Sequence, residues 1–207
     1  MNQYSDDDIH KIVERVVRQT IGGLTAVPAP AEKPPQPAPA APVTVEPAPA
    51  SPVRVVAIGT DHGGVDLKNI LVKELKDAGY EVIDCGTNTT DPVDYPDIAR
   101  SVAELVAADK AWRGVVIDGA GIGSCMAANK VPGIRAAMCY DYATAVNSRE
   151  HNNANVLTLG AGLLGVNLAK QILKTWLSTE YAGGRHEKRI QKIMALEQSF
   201  LKNGTEK

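Results

Sequence analysis

Four short stretches of the chain combine residue types that can move protons or hold an anion. The first is Gly59-Thr60-Asp61-His62-Gly63-Gly64, which leads into a helical pattern. Backbone N–H groups in such a turn can hold an anion, and Asp61 and His62 are candidates for acid–base or phosphate contacts. The same residues also read as an N-capping aspartate followed by an incidental histidine. The second is Ile117-Asp118-Gly119-Ala120-Gly121-Ile122-Gly123-Ser124, with three alternate glycines. Several of its N–H groups can converge on a developing oxyanion, although a purely structural tight turn has the same composition. Its glycines are spaced G-x-G-x-G, not the G-x-G-x-x-G of a dinucleotide loop, and they do not follow the first strand, which ranks a dehydrogenase low.

The third stretch is Arg149-Glu150-His151-Asn152-Asn153. His151 between polar neighbours suits a proton shuttle, and it equally suits a helix C-cap. The fourth is Gly183-Gly184-Arg185-His186-Glu187-Lys188-Arg189. Arg185 and Arg189 are four apart, which predicts two guanidinium groups on one face of the final helix, either for a phosphate or as a solvated basic face.

The elements that position these stretches are legible as strand–helix alternation from residue 53 onward. Apolar runs predict strands over residues 53–59, 80–84, 114–118, 135–139 and 155–159. Between them, Leu67, Ile70, Leu71 and Leu75 form a helical stripe that stops at Gly79, and Pro96 opens a helix with Ile98, Val102, Leu105 and Val106 inward. Further helices fit residues 124–130, 142–150 and 165–177. The pattern predicts an α/β fold with a doubly wound, Rossmann-like, five-stranded parallel sheet. Ligands of such sheets bind beyond the carboxyl ends of the strands, where the glycine-rich stretches fall.

Residues 1–52 are of another kind. Ile9, Ile12, Val13, Val16, Val17 and Ile21 recur at steps of three and four, predicting an amphipathic helix over residues 1–23, with Ser5 as its cap and Gly22 and Gly23 as its stop. Ten of the 13 prolines lie within residues 24–52, which reads as a semi-rigid Pro/Ala linker before a domain at 53–207. A formal charge of −2 argues against a nucleic-acid or anionic-membrane protein, and no apolar run is long enough for a membrane span. Cys85, Cys125 and Cys139 have neither disulfide-framework nor metal-ligand spacing, so a reduced, cytoplasmic protein without a metal is expected.

Taken together, Asp61-His62-Gly63-Gly64, Asp94-Tyr95-Pro96, the 119–123 loop, Ala127-Ala128-Asn129-Lys130, His151-Asn152-Asn153 and Gly183-Gly184-Arg185-His186 resemble, in order, the ribose-5-phosphate isomerase B family. That family also holds the galactose-6-phosphate isomerase subunits. The resemblance implies a metal-free and cofactor-free aldose–ketose isomerase of a phosphorylated sugar, acting through an enediolate, dimeric or tetrameric with sites shared between subunits. It implies that His151 helps open the sugar ring and Asn152 holds a hydroxyl. It further implies that Gly119, Gly121 and Gly123 belong to the loop that donates N–H groups to the enediolate oxygen. His62, Arg185 and Arg189 would hold the phosphate, and Asp61 and Tyr95 would meet sugar hydroxyls or the ring oxygen.

The chain departs from the family at the proton-abstracting position. One branch carries a cysteine where Asp118 stands, and another a glutamate where Ser124 stands. Ala120 replaces the usual Ser or Thr, and Gly162 replaces an arginine. Asp118 is therefore the expected base, with Cys125 as the substitute. A catalytically silent sugar-phosphate-binding or heteromer-partner subunit is the alternative. The N-terminal extension resembles the encapsulation peptides of bacterial microcompartment enzymes, implying shell or cargo partners for residues 1–23; folding back or self-association is the other reading of the same stripe.

Overall fold

The computed structural model describes residues 6–21 and 53–203, in two compact units, Met1–Pro49 and Ala50–Lys207. In the first, residues 6–21 of the expected helix form α1 (Asp6–Ile21), with Ile12, Val13 and Val16 exposed. The Ser5 cap, the stop at Gly22 and Gly23 and the linker over residues 24–52 lie outside the described residues.

The second unit alternates strand and helix. Its strands are β1 (Val55–Thr60), β2 (Glu81–Asp84), β3 (Arg113–Asp118), β4 (Ala136–Met138) and β5 (Val156–Gly160). Its helices are α2 (Val65–Asp77), α3 (Tyr95–Ala107), α4 (Ile122–Ala128), α5 (Tyr142–Glu150), α6 (Val166–Ser178) and α7 (Glu187–Asn203), with 3₁₀ turns at His62–Gly64 and Gly184–His186. All pairings are parallel, in the order β2-β1-β3-β5-β4. The expected doubly wound sheet is thus present, each strand within two residues of its predicted bounds.

Side-chain alternation builds two cores. Val56, Ile58, Val115, Ile117, Leu157 and Leu159 face α2, α5 and α6, whereas Ala57, Val116 and Val156 face α3 and α4. On the second face the sheet is worn smooth where α3 crosses it. A Cβ at Gly59 would sit 2.6 Å from Ile98 Cγ2, and one at Gly114 2.7 Å from Val102 Cγ1. Helix and sheet therefore pack closer than side chains at those positions would permit.

Four buried polar residues interrupt the apolar strands: Thr60, Arg113, Asp118 and Thr158. Arg113 is buried at the start of β3, where its guanidinium donates to the Trp176 and Leu177 carbonyls at 2.8 and 2.9 Å. It lies over the Trp112 and Trp176 rings, 3.9 and 5.1 Å from their centroids. A cation on the last carbonyls of α6 satisfies groups that the helix leaves unpaired.

The chain runs from β1 to β2 on one side and then crosses to β3 on the other. The loops after β1 and β3 consequently diverge and open a crevice at the carboxyl end of the sheet. One expectation is corrected here: Arg185 is not on the final helix with Arg189. It sits in the preceding 3₁₀ turn, because Gly183 and Gly184 take positive φ and delay the start of α7 to Glu187.

Candidate active site

The loop after β3 is organised by Asp118, which is 4% exposed. Its Oδ1 accepts from the N–H of Ala120 at 2.8 Å and from that of Gly121, and its Oδ2 from the Ser124 N–H at 2.8 Å. Gly121 is left-handed (φ +80°), and a Cβ there would lie 2.9 Å from the Leu159 carbonyl carbon, so only glycine fits the turn. From below, the Thr158 hydroxyl donates to the Gly121 carbonyl at 2.8 Å and the Gly162 N–H to the Gly119 carbonyl at 2.9 Å. Ser124 Oγ, one residue past the loop, is a buried hydroxyl with no hydrogen-bond partner among the described residues. Cys125 is half-buried, with Sγ 3.4 Å from the Ala136 carbonyl, and burial raises its thiol above the ordinary value.

The loop after β1 lies alongside. Asp61 caps the 3₁₀ turn by accepting from the Gly63 N–H at 2.9 Å, and its own N–H donates to the Ile117 carbonyl at 3.2 Å. The structure thus gives it the N-cap geometry. His62 is exposed, and its Nδ1 accepts a long 3.4 Å hydrogen bond from the Val93 N–H, which leaves Nε2 to carry the ring proton. Tyr95, 40% exposed, lays its ring against Gly123: a Cβ there would be 2.5 Å from Tyr95 Cζ and 2.8 Å from its hydroxyl. Asp61, His62, Tyr95 and the 118–124 loop form one neighbourhood.

A second neighbourhood forms at the end of α5. His151 is the C-cap, its N–H donating to the Asn147 carbonyl at 3.0 Å. Its Nδ1 lies 2.8 Å from the Asn147 amide nitrogen, which can only donate, so Nε2 bears the proton. The Asn152 amide donates to the Asn147 carbonyl and side-chain oxygen, both at 3.2 Å. The His151 ring stacks on His186 with centroids 4.2 Å apart. Arg185 Nε donates to His186 Nε2 at 3.3 Å, and Arg189 is exposed on α7. Burial, then the charges of His151, Arg185 and Arg189, hold His186 below the ordinary histidine value. An open cavity of about 630 Å³ adjoins this neighbourhood, lined by Asn147, Asn152, Met138 and Ile193 among others.

Among the described residues, no hydrogen bond, ion pair or ring contact joins the first neighbourhood to the second. Sequence reasoning missed His186 and Asn147. His186 belonged to a quoted motif but received no role, and Asn147 is one helical turn before His151, a spacing that points to contact. Among the described residues, no group of three or more His, Cys, Asp or Glu side chains is placed to hold a metal, and no helix is long and apolar enough to cross a membrane.

Comparison with known proteins covers both neighbourhoods. The ribose/galactose isomerase family pattern matches residues 56–193. The chain is 44% identical over 146 residues to ribose-5-phosphate isomerase B of Escherichia coli, spanning 70% of this chain and 98% of that protein. It is 42% identical over 140 residues to D-erythrulose-4-phosphate isomerase of Pectobacterium atrosepticum, spanning 67% and 91%. Among solved structures, ribose-5-phosphate isomerase B of Clostridium thermocellum matches at 50% identity and a TM-score of 0.70, over 70% of this chain and 99% of that one. The Mycoplasma genitalium ribose-5-phosphate isomerase B with bound ribulose-5-phosphate matches at 39% identity and a TM-score of 0.68, over 70% and 96%.

Proposed function

The chain belongs to the ribose/galactose isomerase family and is an aldose–ketose isomerase of phosphorylated sugars, and from that premise we propose that it interconverts ribose 5-phosphate and ribulose 5-phosphate through an enediolate. The observation that carries this reading is that the matched span, residues 56–193, contains every residue of both neighbourhoods.

In the proposed reaction His151 donates from Nε2–H to the ring oxygen and opens the sugar, with Asn152 holding a hydroxyl. A base, for which Cys125 is the candidate, takes the proton from C2 and returns it at C1, while the O2 proton passes to O1. Loop N–H groups between Gly119 and Gly123 meet the charge that grows on oxygen in between. His62 Nε2–H, Arg185 and Arg189 hold the phosphate, and Asp61 and Tyr95 meet hydroxyls.

The two neighbourhoods work together across a dimer, one copy supplying the loops after β1 and β3 and the other supplying His151, Arg185 and Arg189. Three features support a second copy of this chain as the partner: the open edge of β4, the cavity beside it, and the exposed Ile193, Leu196 and Phe200 spaced along one side of α7. The exposed apolar stripe of α1 supports a targeting role for residues 1–23, laid helix-in-groove on a shell or cargo protein of a bacterial microcompartment in the cytoplasm.

The test is incubation in D₂O with ribose 5-phosphate and with four- and six-carbon aldose phosphates, following the C2 proton by NMR. Exchange confined to the five-carbon substrate is expected. Exchange with another chain length reassigns the substrate. No exchange, with thermal stabilisation by ribose 5-phosphate, instead makes the chain a silent or partner-dependent subunit.

A further inference from the structure

We propose that Asp118 is a positioning residue that sets the shape of the 118–124 loop, and that it is not the group that takes the substrate's proton. The inference rests on the isomerase reading for its kinetic consequences, and on the geometry of the loop alone for its structural ones.

A carboxylate offers about four acceptor positions, and three of those on Asp118 are occupied by N–H groups of its own loop. Both oxygens are engaged, so a proton taken at either one displaces a loop amide. The residue is also buried, tucked beneath the loop it organises. A base has the opposite requirement: a free lone pair within reach of the substrate carbon.

The main chain around Asp118 is equally fixed. Its carbonyl accepts from the Ala161 N–H at 2.8 Å, and Gly160 beside it has no room for a side chain, since a Cβ there would lie 2.6 Å from the Ala120 carbonyl oxygen. With Thr158 holding the Gly121 carbonyl, the loop is pinned from the strand side by backbone and from within by one carboxylate. Asp118 thereby sorts the loop amides. Those of Ala120, Gly121 and Ser124 turn inward onto it, so the amides it does not take, Gly119, Ile122 and Gly123, are the ones left for a substrate oxygen. Aspartate is suited to this sorting, because it is short enough to reach residues two, three and six positions ahead and accepts without donating.

The experiment compares the full-length protein with Asp118→Asn, Asp118→Ser and Asp118→Ala. It measures kcat and KM for ribose 5-phosphate from pH 5 to 9, C2 exchange in D₂O, and Tm. The serine hydroxyl accepts loop amides but is no base for a carbon-bound proton, so Asp118→Ser is expected to retain at least about tenfold more kcat/KM than Asp118→Ala. All three variants are expected to melt lower than the parent and to show a raised KM. Residual turnover is expected to keep the parent's acidic limb in its pH profile. If Asp118→Asn and Asp118→Ser match the parent in Tm and KM while C2 exchange disappears, Asp118 is the base and the proposal is overturned. Should the parent itself exchange no sugar phosphate, the isomerase reading fails. Tm and thermal stabilisation by ribose 5-phosphate across the variants then still report whether Asp118 holds the loop.

Discussion

The imidazoles of His151 and His186 lie face to face, their planes within 7° of each other. One comes from the end of α5 and the other from the 3₁₀ turn before α7, so the stack ties His151 to the segment that carries Arg185. With Nδ1 held by Asn147 on one side and a ring against its face, His151 has little freedom to turn Nε2–H away.

Removing the second ring tests that restraint. His186→Ala is expected to lower kcat by about tenfold with a smaller change in KM, because the proposed phosphate contacts remain while His151, the proposed acid, is less well oriented. A KM effect without a kcat effect would place His186 with the phosphate instead.

The same residue carries a pH dependence. His186 is held below the ordinary histidine value, first by burial and then by His151, Arg185 and Arg189, with Glu150 opposing. From about pH 6.5 down to that depressed value, the unfolded chain binds a proton that the folded chain refuses, so stability falls as pH falls. In His186→Phe, which keeps a stacking ring, the decline of Tm between pH 7 and 5 is expected to flatten. An unchanged slope assigns the decline to other groups.

The contact of Tyr95 with Gly123 predicts a steric effect. Gly123→Ala drives a methyl into the ring, so the tyrosine must leave or the loop must shift. A raised KM and a lower Tm are expected, and pairing it with Tyr95→Ala should recover Tm without recovering KM. A double variant no more stable than Gly123→Ala would put the strain in the loop backbone.

Two inactive chains should complement one another. If each site takes the loops of one copy and His151 of the other, co-expressed His62→Ala and His151→Ala chains form mixed dimers with one intact site. Random mixing of subunits then restores about a quarter of the parent kcat/KM. Recovery absent despite proven mixing would mean that each site is built within one copy.

Deleting residues 1–23 is expected to leave kcat, KM and Tm unchanged within error, while co-purification with microcompartment shells is lost. Retained co-purification removes the targeting role from α1.

The fold was readable because burial on both faces of a parallel sheet demands mostly apolar inner strands, which β1, β3 and β5 supply, while β2 and β4 at the edges are shorter and partly buried. The helix over residues 142–150 was also found with its bounds unchanged, since Asp141 and Thr144 form a reciprocal cap. Strand order was harder: nothing local to residues 136–138 or 156–160 says that the later strand lies inside the earlier one. The burial of Arg113 has no local signal either, because the two indoles and the helix end that cover it are assembled only in the fold. At the site, types and spacing singled out His62, His151, the 119–123 glycines, Arg185 and Arg189 as candidates and gave His186 no role. What spacing does not encode is direction: that Asp118 points back into its own loop, or that His186 turns onto His151.

Gly160 ends its strand with the Ala120 carbonyl so near that even a methyl group has no place. Strand tip and loop are therefore locked as a pair in descent, since neither can change without the other already having moved.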